Sequence, residues 1–421
     1  MKRLAIQKLF RIWLLVAALL LPNLTQAQLS YTTNDDNSIK ITGYFSSDAS
    51  IIIPSTLFWH GVSLPVTSIG TNAFQANGNV TSVTIGTNIN NIGDYGFNTC
   101  YNLASVIIPN GVTNIGKFAF FGCRSMTSVT IGNSLNSIGI FAFGYVPKTV
   151  VIAIDTNNPN ICSVDGLIFD KNTNSLIQCP AGKTGTYTIP NTVTNIAVGA
   201  FSSCFHLTNI LIGANVINIG ADAFWECGNL TNIVIPSGVI NIGNETFYDC
   251  YKLNNISLGA NITSIGTNAF YYCTNLSSIK IPSSVTNIGF DSFFFCTNLK
   301  SVYFEGNAPS TNSFVFSGDN NATVYYLPGT TGWSSIFAGR PTVLWNPLAQ
   351  TRDASFGVRT NKFGFNITGT SGLVIVVEAC TNFSNPIWKP IQTNTLISGT
   401  AYFSDPKWTN KPGCFYRIRS P

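Results

Sequence analysis

A repeat of 23 residues constrains this chain more than any other feature of its sequence. The dipeptide Ile-Gly marks the repeat, a Phe follows five residues after each Ile, and in seven coils a Cys follows three residues after the Phe. The Ile positions are Ile69, Ile92, Ile115, Ile138, Ile196 (followed by Ala), Ile219, Ile242, Ile265 and Ile288. A fixed period of about 20 to 50 residues is typical of a solenoid, in which neighbouring coils bury each other's apolar side chains.

One coil, "LASVIIPNGVTNIGKFAFFGC", explains the spacing. Val106 and Ile108 alternate with an outward residue, which is the period of a β-strand, and Pro109 ends that strand. Gly116 then allows the chain to bend, so that Phe120 and the following Cys return to the interior. Stacked coils therefore place their strands side by side in a parallel sheet, and the Phe and Cys repeats belong to the framework of the coil.

The pattern L-x-x-V-x-I-P-x-x-V-x-x-I-G-x-x-A-F-x-x-C resembles the Treponema-type, or BspA-like, bacterial leucine-rich repeat over about residues 60 to 305. The resemblance implies a curved, right-handed repeat solenoid with a parallel sheet on its concave face. It also implies a secreted or cell-surface location and binding to host or neighbour-cell proteins. It implies no catalytic residues.

The first residues predict export. Four basic residues, an apolar run from Ile12 to Leu21 and a small residue at Ala27 have the order of a secretory signal peptide over 1–27. An uncleaved anchor is the alternative, but ten residues of helix span only about 15 Å, half of a bilayer core. We expect a secreted or surface-held protein without a transmembrane segment.

Charge argues against nucleic acid as a partner. Residues 28–345 carry ten Lys and Arg against fourteen Asp and Glu, whereas residues 346–421 carry eight against three. Nucleic-acid binding needs a concentrated basic face, and the long region lacks one. The basic tail could instead hold the protein to an anionic envelope, or its charge could be a solvated excess without a partner.

The chain divides into five predicted regions. An N-terminal cap over 28–62 follows the signal peptide, and leucine-rich repeats over 63–305 contain an insertion at about 155–186. Two apolar runs around "DKNTN" predict that this insertion is a β-hairpin projecting from the stack. A C-terminal cap over 306–345 precedes a small all-β tail over 346–421, which is similar to short tail modules of exported bacterial proteins.

The cysteines favour buried, free thiols in the coils, since five consecutive coils cannot all pair. A disulfide between Cys162 and Cys179 on the inserted hairpin and another between Cys380 and Cys414 in the tail stay open. With two histidines and one thiol per coil, we predict no metal site and no cofactor.

Two surfaces are candidate ligand-binding sites. The residue after the framework Phe is aromatic in four consecutive coils, and these residues are Trp225, Tyr248, Tyr271 and Phe294. Aromatic rings anchor protein partners or stack on sugars, although rings that only pack the stack are the alternative. The outward positions of the concave strands become more polar and more distinctive toward Lys280 and Tyr303.

No catalytic constellation is present. The acids Asp222, Glu226, Glu245 and Asp249 recur on neighbouring coils, but solvated surface carboxylates explain them more simply than glycoside hydrolysis does. The sequence therefore predicts a non-enzymatic binding or adhesion module for an extracellular protein or glycan. The alternative is a structural envelope or matrix protein with no specific ligand.

Overall fold

A computed structural model describes residues 28–147, 150–382, 386–410, 413–419 and 421, so the predicted signal peptide lies outside the described residues. Two compact units divide the chain. The first contains the chain up to Gly185 together with Pro190–Leu207 and Asp222–Cys227. The second contains Thr186–Ile189, Thr208–Ala221 and Gly228–Pro421. Within the described residues no helix has the length and apolar character needed to cross a membrane.

The described residues form β-strands joined by turns, with one short 3-10 helix at Trp408–Asn410. The first strands are β1 (Leu29–Thr33), β2 (Ile39–Tyr44), β3 (Ser50–Ile53), β4 (Thr56–Trp59), β5 (Val62–Ile69), β6 (Ser82–Ile85), β7 (Asn91–Ile92), β8 (Ser105–Ile108), β9 (Asn114–Ile115), β10 (Ser128–Ile131), β11 (Ser137–Ile138) and β12 (Val151–Ile154). The next are β13 (Ile161–Val164), β14 (Leu167–Asp170), β15 (Ser175–Gln178), β16 (Gly185–Thr188), β17 (Asn195–Ile196), β18 (Leu207–Leu211), β19 (Asn218–Ile219), β20 (Asn232–Val234), β21 (Asn241–Ile242), β22 (Asn255–Ser257), β23 (Ser264–Ile265) and β24 (Ser278–Ile281). The last are β25 (Asn287–Ile288), β26 (Ser301–Phe304), β27 (Thr323–Tyr326), β28 (Ile336–Phe337), β29 (Arg340–Leu344), β30 (Leu348–Gln350), β31 (Gly357–Arg359), β32 (Lys362–Thr368), β33 (Val374–Cys380), β34 (Lys389–Thr395), β35 (Thr400–Asp405) and β36 (Phe415–Arg419).

The predicted solenoid is confirmed. In the first unit β12, β10, β8, β6 and β3 form one sheet, and β5, β7, β9 and β11 form part of a second. Both ladders are parallel and advance by one repeat, as when Val106 pairs with Val129 and Ile92 with Ile115. The 23-residue period is therefore the register of the sheets.

The framework Phe rings stack through the core of each unit. Phe97 lies 4.8 Å from Phe74 and 5.3 Å from Phe120 between ring centroids, with nearly parallel planes. Phe270 lies 5.3 Å from Phe247 and 5.1 Å from the ring of the next coil in the second unit. These rings are at most 2% exposed, so each removes a large apolar area from water.

The framework cysteines are free thiols that donate hydrogen bonds to the backbone. The Cys100 Sγ donates to the Phe74 carbonyl at 3.1 Å, and the Cys273 Sγ donates to the Phe247 carbonyl at 3.2 Å. Burial raises the pKa of Cys100 to about 12 and raises the pKa of Cys273 well above its ordinary value. These thiols are therefore protonated and unreactive at neutral pH.

The turn side of the coil has an unusual backbone. Residues two positions before and two after the framework Phe have positive φ, for example Tyr95 (56°) and Thr99 (56°) around Phe97. The N–H groups of these three residues donate to carbonyls of the next coil at 2.7–2.9 Å. Because the coil geometry imposes this left-handed conformation, small or Asx residues suit these positions best.

The insertion differs from the projecting hairpin expected over 155–186. Strands β13, β14 and β15 form an antiparallel meander, and β15 then pairs in parallel with β17, with Leu176 opposite Ile196. Phe169 and Leu176 are completely buried, and Cys179 lies beside Cys204 at the level of the thiol row. The insertion is thus built into the stack, because its apolar side chains need the same core.

Neither disulfide that the sequence left open is formed. The Cys162 thiol donates to the Asp170 carbonyl at 3.4 Å, and Cys179 extends the row of framework thiols. The buried Cys380 thiol donates to the Asn382 carbonyl at 3.0 Å, and Cys414 is also free.

The tail is a small β-domain that packs on the last coils within the second unit. One sheet contains β30, β31, β32 and β35, and the other contains β34, β33 and β36. Their buried side chains form one apolar cluster with Tyr303 and Tyr325 of the coils. Inside the tail, Glu378 is buried and accepts hydrogen bonds from Arg417 at 2.8 Å and Arg419 at 2.6 Å. Burial raises the pKa of Glu378, but the two arginines more than offset it and leave the pKa lowered.

Candidate functional site

An aromatic ridge occupies the turn side of the second unit. We define it as Tyr248, Tyr271 and Phe294, which follow the framework Phe in three successive coils, and Tyr272 and Phe295, which come next in two of them. Tyr271 stacks between Tyr248 at 4.7 Å and Phe294 at 4.8 Å, and Tyr272 stacks on Phe295 at 5.2 Å. The coil spacing of about 4.8 Å imposes these distances.

Stacking determines what the ridge can bind. Both faces of Tyr271 are covered by neighbouring rings, whose planes lie within 7° of its own. A sugar that stacks on an aromatic residue needs an open ring face, whereas a protein surface can pack on ring edges. Tyr272 and Phe295 stack on each other and are 39% and 37% exposed, so the ridge offers apolar ring surface to solvent. The covered faces of Tyr271 suit a protein contact better than a glycan.

Carboxylates border the ridge. Glu245, Asp249 and Asp291 lie on the same turn segments and are partly exposed. Burial raises the pKa of Asp249 and of Asp291. The pKa of Tyr271 is also raised, first by burial and then by the charges of Tyr272 and Asp291, which places the Asp291 carboxylate near the ridge. Lys252 is on the following segment and donates to Asn229 Oδ1 at 2.7 Å.

Trp225, predicted to belong to the same strip, is part of the first unit. Its half-buried ring meets the ring of Phe141 edge-on at 5.6 Å. Next to it, Glu226 accepts a hydrogen bond from the hydroxyl of Tyr145. Trp225 therefore has its own aromatic and polar neighbours within that unit.

The two concave residues predicted as ligand contacts differ sharply. Lys280 is exposed and forms a salt bridge to Glu305 at 3.0 Å. Tyr303 was expected to point into solvent, but it is only 3% exposed because the tail covers it. Its ring stacks on Tyr325 at 4.8 Å, and its hydroxyl donates to the Val374 carbonyl at 3.4 Å.

Sequence reasoning did not find this covered end of the concave face. A pocket of about 160 Å³ lies there between coils and tail, lined by Lys280, Tyr325, Trp345 and Arg419 among others. A signal was present, because two successive strands carry Tyr at outward positions where the earlier coils carry no aromatic residue. Large aromatic side chains in such a row indicate a surface that another part of the molecule covers.

The open part of the concave strands is mixed in polarity. Ile107 in the first unit and Leu211 and Val234 in the second are 68%, 49% and 62% exposed, among Ser, Thr and Asn side chains. Isolated apolar residues are normal on a protein surface. Among the described residues, His, Cys, Asp and Glu side chains form no group of three or more that could hold a metal.

Comparison with known proteins assigns the repeat to a family. The sequence model of the BspA type leucine rich repeat region matches residues 67–181, 172–300 and 217–335. A comparison with curated proteins found no match.

Solved structures of bacterial proteins resemble the chain in fold. A leucine-rich cell surface protein from Faecalibacterium prausnitzii is 24% identical, with 66% of this chain and 94% of that chain covered and a TM-score of 0.45. The pneumococcal vaccine antigen PcpA is 18% identical, with 72% and 92% covered and a TM-score of 0.46. A leucine-rich repeat protein from Eubacterium ventriosum is 22% identical, with 64% and 92% covered and a TM-score of 0.43.

Proposed function

Because this chain belongs to the BspA-type leucine-rich repeat proteins, we propose that it is an exported, non-enzymatic binding or adhesion module that holds an extracellular protein partner. The observation that carries the proposal is the aromatic ridge, in which the rings of Tyr272 and Phe295 are partly exposed beside carboxylates. Tyr and other aromatic residues dominate the energetics of protein interfaces when they lie in a cluster with a polar rim.

The backbone supports this assignment. Tyr272 and Phe295 have φ of 57° and 54°, a conformation that a bulky L residue adopts at an energetic cost. Ala76 and Thr99 occupy the same coil position in the first unit with φ of 58° and 56°. The position therefore does not require an aromatic side chain for the coil to form. An unfavourable residue that the fold does not need is a candidate for function.

The experiment is a binding screen of residues 28–421 against extracellular proteins and glycans. A ridge variant, Tyr272→Asn/Phe295→Asn, is run beside it, since Asn tolerates positive φ and keeps the coil intact. Ala76→Asn/Thr99→Asn is the matched control. We expect a protein ligand whose affinity falls at least about tenfold in the ridge variant and not in the control.

Two results would contradict the proposal. Equal binding by the ridge variant would move the site to the open concave strands or the tail. Absence of saturable binding to every probe would favour the structural alternative, a stiff envelope or matrix protein.

A further inference from the structure

The tail carries a surface that complements the ridge. Its basic hairpin, which we define as residues 352–362, contains Arg352, Phe356, Val358, Arg359 and Lys362, and one acid, Asp353, whose carboxylate accepts hydrogen bonds from Ser355 and Asn366. The three basic side chains are exposed, and Phe356 and Val358 are 45% and 51% exposed. The hairpin thus combines positive charge with apolar area, which matches a ridge of ring edges bordered by carboxylates.

The charge of the hairpin is concentrated by its register. Arg359 lies directly opposite Lys362 across the strand pair, so both side chains are on one face. Like charges at directly opposed positions destabilise a hairpin, so this pair does not help the tail to fold. Thr360 and Asn361 between them both have positive φ, as in the tight two-residue turns of rigid hairpins. The structure therefore presents two cations on a stiff tip.

The ridge offers the opposite charge. Glu245, Asp249 and Asp291 are partly exposed, and among the described residues none of the three forms a salt bridge. The sequence has the same asymmetry on a larger scale, since residues 28–345 have a net charge of −4 and residues 346–421 of +5. Complementary fields of this kind orient two protein surfaces as they meet.

We propose that the partner of the aromatic ridge is a second copy of this chain, whose basic hairpin docks on the ridge. The proposal rests on the proposed function, because it uses the same ridge. Within one chain the tail packs on the strands that carry Tyr303 and Tyr325, and the apolar cluster that joins them contains no ridge residue. The contact is therefore assigned to two copies. It joins two different patches, so successive copies can add head to tail, which makes the adhesion homotypic.

The first test is the oligomeric state of residues 28–421 by sedimentation velocity over a range of concentrations at low and high salt. We expect association that grows with concentration and weakens at high salt, because exposed ion pairs are screened. The ridge variant Tyr272→Asn/Phe295→Asn and the hairpin variant Arg359→Glu/Lys362→Glu should each weaken association at least about tenfold. Ala76→Asn/Thr99→Asn and the exposed tail substitution Lys407→Glu are matched controls and should associate like the unmodified chain.

Mixing the two variants is the decisive measurement. The ridge variant keeps an intact hairpin, and the hairpin variant keeps an intact ridge. An equimolar mixture should therefore form a dimer of one copy of each that cannot grow further. This result also excludes misfolding as the cause of the losses.

The proposal is overturned if the unmodified chain is monomeric at its highest concentration, or if the mixture of variants stays monomeric. The fate of the proposed function is read separately. A ridge-dependent protein ligand in the binding screen, without self-association, would leave the binding function standing and exclude the second copy. Self-association that both variants retain would place the contact elsewhere.

Discussion

The same coil position has different occupants in the two units, and the contrast separates what the fold needs from what it only tolerates. Two residues after the framework Phe, Ala76 and Thr99 stand in two coils of the first unit with φ of 58° and 56°, and Tyr272 and Phe295 stand in two coils of the second with φ of 57° and 54°. Tyr145 of the first unit and Asp249 of the second occupy the same position, each with φ of 53°. The backbone is therefore independent of the side chain, and the aromatic residues of the second unit require another explanation.

Replacing a buried framework Phe should give the largest loss of stability, and the ridge can be compared with it. We expect Phe97→Ala in the first unit and Phe270→Ala in the second to cost about 3–5 kcal/mol each, because both rings are fully buried. Phe294→Ala on the ridge should cost only about 1 kcal/mol, since its ring is half-buried. Chemical denaturation followed by fluorescence measures all three. Equal losses at Phe270 and Phe294 would make the ridge part of the core.

The framework Cys position gives the next test, because the coil after Cys296 has an aspartate at this position. Asp319 stands where Cys296 stands one coil earlier and is completely buried, and among the described residues no hydrogen bond of ordinary geometry reaches either of its carboxylate oxygens. Burial raises its pKa to about 8, although the Cys296 backbone and the charge of Arg340 act in the opposite direction.

A raised pKa means that the folded state binds the proton more tightly than the unfolded state does. The stability due to protonated Asp319 is therefore complete below about pH 4 and is lost as the pH rises to about 8. We expect Asp319→Asn to be more stable than the unmodified chain by roughly 2 kcal/mol at pH 8.5, and the difference to shrink toward pH 4. Urea unfolding across this range measures it, and a difference that does not change with pH would contradict the assignment.

Two cysteine substitutions compare the contribution to stability of a framework thiol with that of a partly exposed thiol in the insertion. Cys273→Ala removes the hydrogen bond to the Phe247 carbonyl and leaves a small cavity, so we expect a loss of about 1–2 kcal/mol. Cys162→Ala, at a partly exposed thiol, should cost less than about 0.5 kcal/mol. Denaturation under reducing conditions checks both. A large loss at Cys162 alone would indicate that its hydrogen bond to the Asp170 carbonyl stabilises the inserted meander.

The smallest expected change in stability comes from substitutions at the positive-φ position two residues after the framework Phe. Asn is better suited than a β-branched or aromatic residue to positive φ, so Thr99→Asn and Phe295→Asn should each be neutral or stabilising by up to about 1 kcal/mol. Thermal unfolding measures this. If Thr99→Asn stabilises the chain and Phe295→Asn destabilises it by more than about 1 kcal/mol, the ridge serves packing and not binding.

Much of the solenoid could be predicted from sequence, because the repeat length equals the residue offset between paired strands of neighbouring coils. Val106, Ile108 and Phe120 recur at a fixed interval, and only stacked coils bury all of them. The insertion was harder to predict, since its two apolar runs fit a hairpin that projects from the stack as well as one that is part of it. Only the tertiary pairing of Leu176 with Ile196 shows that it continues the stack.

The candidate site was predictable in part. The aromatic residues Tyr248, Tyr271 and Phe294 follow from the period alone, and they do stack. The burial of Tyr303 depends on where the tail packs, which no local pattern encodes. The distances between the rings also needed the structure, and these distances cover both faces of Tyr271, which favours a protein partner over a sugar.

The inserted meander has a consequence for how the chain finds its register while folding. Coils that repeat every 23 residues are nearly interchangeable. During folding, one segment could therefore pair with the wrong neighbouring coil and still form most of the framework contacts. Among the coils that the structure describes, none repeats the meander of β13, β14 and β15, which therefore can be buried in only one place. The meander therefore fixes the register in which the coils stack. A chain without it would be prone to kinetic traps in which correctly formed coils are stacked with a register shifted by one coil.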